Sequence, residues 1–382
     1  MRLILFKRIS PMCLLSRLRR CLVPALLLLA SASAFAPSAS AVQVTDVLGR
    51  TVALEHAPQR IVLGEGRLFF ALALLDRDNP FQRVVGWQND MRLLDPHTYE
   101  VYAKAYPQVA KLPLIGQASE QSVSAEQILA LKPDLAIFSI AGEGPTQHSP
   151  VADLLEKAGV PVLFIDFRVH PMRNTHVSMQ ALGSLLGREQ QAQEYLSLYD
   201  RHLKHVTDSV ASITAAQRPK VFLELLPGVW QAPGHTTGKS GLGSVVEAVG
   251  GHNIGADVVP GALGDVSVEY VLQADPDVYI ATGNRAPGVL LGAGVSLDTA
   301  RQSLAKITAR PEFAPLRPIQ AGQAHGLWHD FYNSPFNILA IEAMARWVHP
   351  ERFKDVDPQA TMAEINQMLK VGLDGQYWVD AQ

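Results

Sequence analysis

The sequence predicts an α/β protein of two α/β lobes with parallel sheets, joined by one long backbone helix, with a ligand cleft between the lobes. Three observations carry that prediction. From Arg60 to Asp166 short apolar runs alternate with amphipathic segments, the pattern that gives parallel sheets covered by helices. Over about 172–213 the alternation stops, and Met179, Leu182, Leu185, Leu186, Tyr195, Leu198, Tyr199, Leu203 and Val206 recur at helical spacing with no proline between Pro171 and Pro219. From Lys220 the alternation resumes.

Ahead of the first lobe stands an export signal. Six of the 33 basic residues and none of the 36 acidic ones lie in residues 1–41. The basic part ends at Arg19-Arg20, an apolar run Cys21–Ala30 follows, and small residues close on Ala39-Ser40-Ala41. That order is a secretory signal peptide, cleaved after Ala41. Its core of about ten residues is half of what a spanning helix needs. Arg19-Arg20 also raises twin-arginine export, and Met12 an alternative start. Without this segment 27 basic residues stand against 36 acidic ones, a formal −9, so a nucleic-acid partner is not expected. Both cysteines, Cys13 and Cys21, fall in the signal. The mature chain can then form no disulfide, carries no lipid-attachment cysteine, and rests on its core alone. A free periplasmic monomer is expected.

The N-terminal lobe is expected over 42–171. Ile61–Gly64, Val84–Trp87, Leu114–Gly116, Leu135–Phe138 and Val162–Asp166 read as strands, with helices at 68–75, 96–106, 124–132 and 150–158. The connector over 172–213 is expected as one helix, running roughly 60 Å if unbroken at 1.5 Å per residue. Gly183 and Gly187 weaken it locally, by about 1 kcal/mol each against Ala. The C-terminal lobe takes 214–382. Val221–Leu226 reads as a strand with Val229–Ala232 as its hairpin partner across Pro227-Gly228. Helices follow at 240–249, 267–273, 299–308 and 334–348, with strands at Val278–Ala281 and near 324–328.

Several motifs fail on spacing. Gly234-His235-Thr236-Thr237-Gly238-Lys239-Ser240 has three residues between its glycines where a phosphate-binding P-loop has four; it reads as a turn capping the helix at 240. His325-Gly326-Leu327-Trp328-His329 has Gly where a zinc hydrolase has Glu. No Gly-x-Ser-x-Gly elbow occurs. No enzyme, resident metal or cofactor is therefore expected; a periplasmic α/β enzyme is the alternative from another class. Trp87, Trp230 and Trp328 fall at strand ends, where a cleft between lobes is lined. Arg67 and Arg285 follow strands in the position of cleft cations. His329 and Tyr332, before the helix signal at Ser334-Pro335, stand where they could touch a ligand or its metal.

Thr45-Asp46-Val47-Leu48-Gly49-Arg50 with Ala57-Pro58-Gln59-Arg60, then Ser124–Leu135, Gly250–Ile254 and Ser267–Asp277, resemble periplasmic binding proteins of importers for iron–siderophores, haem and vitamin B12. The resemblance covers nearly the whole mature chain in order. It implies a ferric siderophore or related metal chelate as cargo, slight lobe closure, and an inner-membrane ABC permease dimer with its ATPase as partner. Trp87, Trp230, Trp328 and Tyr332 would then face the chelate's organic shell. Arg67 and Arg285 would balance its charge, and His329 would hydrogen-bond it or ligate an exposed metal position. The resemblance also implies one permease-docking glutamate per lobe, at Glu126 and Glu269. Gly64–Arg67 and His329–Asn337 depart from familiar hydroxamate and B12 receptors, which leaves haem, a corrinoid, a nickel chelate and molybdate open as cargo.

Overall fold

In the computed structural model, which describes residues 41–382 except 143, 231 and 382, two sheets share one hydrophobic core. The signal-peptide reading over 1–41 falls almost wholly outside the described residues. The N-terminal sheet is fully parallel, in the spatial order Leu114–Gly116, Val84–Gln88, Ile61–Leu63, Leu135–Ser139, Val162–Ile165. Strands Ile61–Leu63, Leu135–Ser139 and Val162–Ile165 are buried along their whole length, so they read as unbroken apolar runs. The C-terminal sheet is mixed. Leu263–Asp265, His235–Thr237, Lys220–Glu224, Val278–Gly283, Ala324–Trp328 and Trp378–Asp380 follow in that order, with His252–Asn253 beside Lys220–Glu224. Its central three strands are parallel, and its flanking strands antiparallel.

The connector is helical but is not one rod. Helix Pro171–Leu186 ends at Gly187, whose φ of +64° suits glycine. Arg188 N–H then bonds back to the Gly183 carbonyl at 2.7 Å. The second helix, Glu189–Val210, folds against the first. Gly183 makes that crossing possible, because a Cβ there would stand 2.5 Å from the Ala192 methyl. The expected 60 Å span is thus replaced by helices of roughly 24 and 33 Å. The second one lies on helices Asn337–Val348 and Phe69–Leu75, one from each lobe.

Other elements shift less. The hairpin partner of Lys220–Glu224 is His235–Thr237, with Glu224 opposite Thr236. The expected strand at 229–232 is not formed at Trp230, because Val229 and Trp230 N–H both turn back to the Leu226 carbonyl. Phe336 takes the cap position of the helix expected from 334, which starts at Asn337.

Core packing crosses the lobes. Phe70 of the N-terminal lobe meets Trp328 and Phe336 of the C-terminal lobe edge-on, at 5.8 and 5.5 Å between ring centres. Tyr195 and Tyr199 of the connector donate to the Pro335 carbonyl and to Asn337 Oδ1. Such a shared, close-packed core resists hinge bending. Scattering curves recorded with and without ligand should therefore superpose closely. No helix among the described residues is long and apolar enough to cross a membrane.

Candidate functional site

A cavity of about 540 Å³ opens between the carboxyl ends of the two sheets, where ligands of open α/β sheets bind. Strand ends of both lobes deliver its walls. On the N-terminal side, Gly66 carries Arg67 against the neighbouring strand, since a Cβ there would lie 2.7 Å from the Gln88 carbonyl. Strand Val162–Ile165 runs into a loop fixed by Asp166, whose carboxylate accepts from the N–H groups of Arg168, Val169 and His170 and from Asn174 Nδ2. That loop holds Arg168 and Val169 at the cavity. On the C-terminal side Leu225, Leu226, Trp230, Leu242 and Leu263 form an apolar wall. Trp230 and Leu263 are 51% and 59% exposed at its mouth.

The cavity gathers five of the seven expected ligand residues: Arg67, Trp230, Arg285, His329 and Tyr332. Trp87 and Trp328 are elsewhere. Trp87 is 3% exposed and packs on Phe81 and Tyr99. Trp328 is fully buried, with Phe70, Phe331 and Tyr377 set edge-on around it. Both end strands, as expected, but a residue at the end of a strand points to either face, and these two point into the shared core.

Arg67 differs from its expected part. Its side chain is 1% exposed, with Nε 2.9 Å from Asp90 and Nη1 2.7 Å from Asp330 of the opposite lobe. Nη1 also donates to Tyr332 Oη at 3.0 Å, and Glu65 lies 3.5 Å from Nη2. Its charge is balanced inside the protein. Arg168, which the sequence reading missed, donates to the same Tyr332 Oη at 3.0 Å and lies over that ring at 4.4 Å; Glu65 is 3.3 Å away. Arg285 is different again. Its Nη1 donates to the Leu94 carbonyl and to Asn284 Oδ1, at 3.1 and 2.8 Å, both neutral acceptors. His329 is oriented by Thr282 Oγ1 at 2.9 Å from Nδ1, with its ring 4.6 Å from that of Tyr332.

Beneath this floor the network continues. Asn284 donates to Asp330 at 2.7 Å within the C-terminal lobe, and Asn333 donates to Glu65 of the opposite lobe at 2.9 Å. Asp95 is enclosed nearby. Burial first, and the Asp330 carboxylate second, push its carboxyl up to about 8. Between about pH 4 and 8 the native state thus holds a proton that the unfolded chain has released, and stability falls as pH rises through that window. Asn at this position keeps an acceptor for Thr98 N–H. Asp95→Asn should match the native protein at pH 4 and exceed it at pH 9 in urea-unfolding midpoint. A gain that is the same at both values would show that Asp95 is not the titrating group.

Two α/β lobes fused through a common core, with a preformed cleft between their strand ends, define a solute receptor. Residues 87–325 match the family described as Periplasmic binding protein, and the chain belongs to that family. It is a binding protein, not an enzyme. Vitamin B12-binding protein of Yersinia pestis is 30% identical over 188 residues, 47% of this chain; the chain spans 60% of that relative's length. Among solved structures, the TroA-like periplasmic binding protein FepB of Veillonella parvula superposes over 89% of this chain and 100% of its own, at 24% identity and TM-score 0.79. The molybdate-bound MolA of Haemophilus influenzae covers 86% of this chain and 97% of its own, at 18% identity and TM-score 0.65.

Proposed function

We propose that the chain is the solute-binding component of an ABC importer, exported to the periplasm as residues 42–382, and that its cargo is a bulky, partly apolar metal chelate carrying negative charge. A ferric siderophore is the first reading. The supporting observation is the pairing of a broad apolar wall with Arg285, a half-buried cation whose hydrogen bonds among the described residues go to neutral acceptors. A cavity of 540 Å³ has the size of sites for small organic ligands. A bare oxyanion such as molybdate would leave the leucine wall without purpose. A corrinoid is the second reading, favoured by the likeness to vitamin B12-binding proteins.

A mass spectrum of ligand retained by protein purified from the periplasm tests this directly. Titration of the stripped protein should quench the fluorescence of Trp230, the cleft tryptophan, and Trp230→Phe should lose most of that signal. Arg285→Gln should weaken an anionic chelate about ten- to hundredfold, the worth of a hydrogen bond to a charged group; unchanged affinity would mean a neutral cargo. Delivery is proposed to run through Glu126 and Glu269, both exposed on the second residue of a helix, meeting a permease driven by its ATPase.

A further inference from the structure

One loop of the C-terminal lobe is held in a conformation that its residue type disfavours. Leu226, two residues beyond strand Lys220–Glu224, has a φ of +46°. That is the left-handed region, which is costly for a residue with a Cβ and persists only where surrounding contacts enforce it. The loop that follows carries Trp230, whose N–H returns to the Leu226 carbonyl at 3.2 Å. The Trp230 ring rests on that of His235, another cavity residue, with 4.6 Å between centres. Both ends of the loop are tied. Leu225 N–H donates to the His235 carbonyl at 2.7 Å, and Gly234 N–H to Glu224 Oε1 at 3.2 Å. Leu226 itself is tied by a side chain of another strand. Its N–H donates to Thr282 Oγ1 at 3.0 Å, and Thr282, on strand Val278–Gly283, is fully buried.

The same hydroxyl reaches His329. Thr282 Oγ1 lies 2.9 Å from His329 Nδ1, and these two contacts are the hydrogen bonds of that side chain among the described residues. An amide N–H can only donate, so Oγ1 accepts from Leu226 and its own proton remains for Nδ1. The proton of a neutral His329 then stands on Nε2. We infer that Thr282 is a positioning residue of the cleft: one buried hydroxyl holds the Trp230 loop and sets His329 as a hydrogen-bond donor. The C-terminal side of the site is thereby shaped before cargo arrives. This rests on the reading of the cavity as the cargo site and deepens it. A preset wall removes the entropy cost of ordering a loop on binding, which raises affinity. In this tautomer His329 has no lone pair for a metal, and what it can give is an N–H.

The test compares Thr282→Val, which keeps the shape and removes the hydroxyl, with Thr282→Ser, which keeps the hydroxyl. In mature protein labelled with 5-fluorotryptophan, the fluorine resonance lost in Trp230→Phe identifies the cleft tryptophan. Thr282→Val should shift or broaden that resonance and leave those of Trp347 and Trp378 in place; Thr282→Ser should leave it at its native position. The nitrogen shifts of neutral His329 should show an unprotonated Nδ1 in the native protein and lose that preference in Thr282→Val. Binding is read by tryptophan quenching with ferric protoporphyrin IX, aquocobalamin and ferrioxamine B. A probe that binds the native protein should bind Thr282→Val about three- to tenfold more weakly, the worth of one hydrogen bond, and Thr282→Ser almost as tightly. Unmoved Trp230 and His329 signals in Thr282→Val would overturn the positioning role. Moved signals with native affinity would overturn the claim that the preset wall serves binding. If Thr282→Val does not fold, the native protein still decides, because the Leu226 amide should exchange slowly with deuterium despite its place in a loop; fast exchange would overturn the anchor. Quenching by none of the three probes would count against the chelate reading, while the resonances would still decide the role of Thr282.

Discussion

Arg67→Met should cost about 3–5 kcal/mol of stability, the range found when one partner of a buried ion pair is removed. The guanidinium is held by Asp90 and Asp330, with Glu65 close by, and both its direct partners are fully buried. Taking it away removes the cation that Asp90 and Asp330, from two lobes, share, while Arg168 remains beside Glu65. The effect should appear as an earlier urea midpoint with an unchanged slope. Asp330→Asn should recover part of the loss in the double variant, because it removes one of the stranded carboxylates. The alternative, in which Arg67 chiefly serves an anionic cargo, predicts the opposite division: near-native stability and a large loss of affinity. Both can be measured on one preparation.

The second large effect concerns delivery. Glu126 and Glu269 occupy equivalent places in the two lobes, each one residue beyond the start of a short helix capped by a serine. Ser124 Oγ accepts from Gln127 N–H at 3.2 Å, and Ser267 Oγ from Tyr270 N–H at 3.1 Å. A carboxylate in the first turn also benefits from the helix dipole. If that local benefit were their whole role, Glu126→Lys with Glu269→Lys would lower stability slightly and leave transport intact. As docking charges, they should be dispensable for ligand binding and required for uptake. The double variant is expected to bind cargo with native affinity while uptake by whole cells collapses. Charge complementarity mainly sets encounter and register, so each single reversal should do most of the damage. Native uptake by the double variant at native expression would end the docking proposal.

The lobes were legible because their strands are buried on both faces and separated by capped amphipathic helices, so Ile61–Leu63, Leu135–Ser139 and Val278–Gly283 announce themselves as short apolar runs. The connector was legible as helix but not as two helices. Gly183 and Gly187 were visible, yet only the packing of Ala192 on Gly183 shows that one glycine permits a crossing and the other ends a helix. The spacing of Gly234–Ser240 reads His235 as part of a turn. Its signal is a histidine in a short polar run opposite the edge strand Leu263–Asp265, and that pairing is absent from the local sequence.

The chain's own order of residues determines where strands end, and hence which segments border the cleft; Arg67, Trp230, Arg285, His329 and Tyr332 were placed there by that reasoning alone. What each does was decided by tertiary structure. Trp87 and Trp328 are expected at the cleft beside Trp230, but face the common core because the lobes are packed together on that side. Arg67 and Arg285 share the same place after a strand, but Arg67 meets carboxylates from residues 23 and 263 positions away, while Arg285 donates, among the described residues, to neutral oxygens. Local sequence fixes backbone geometry through short-range sterics and burial pattern. The charge a side chain meets depends on neighbours hundreds of residues distant, and those are assigned only when the two lobes close on one core.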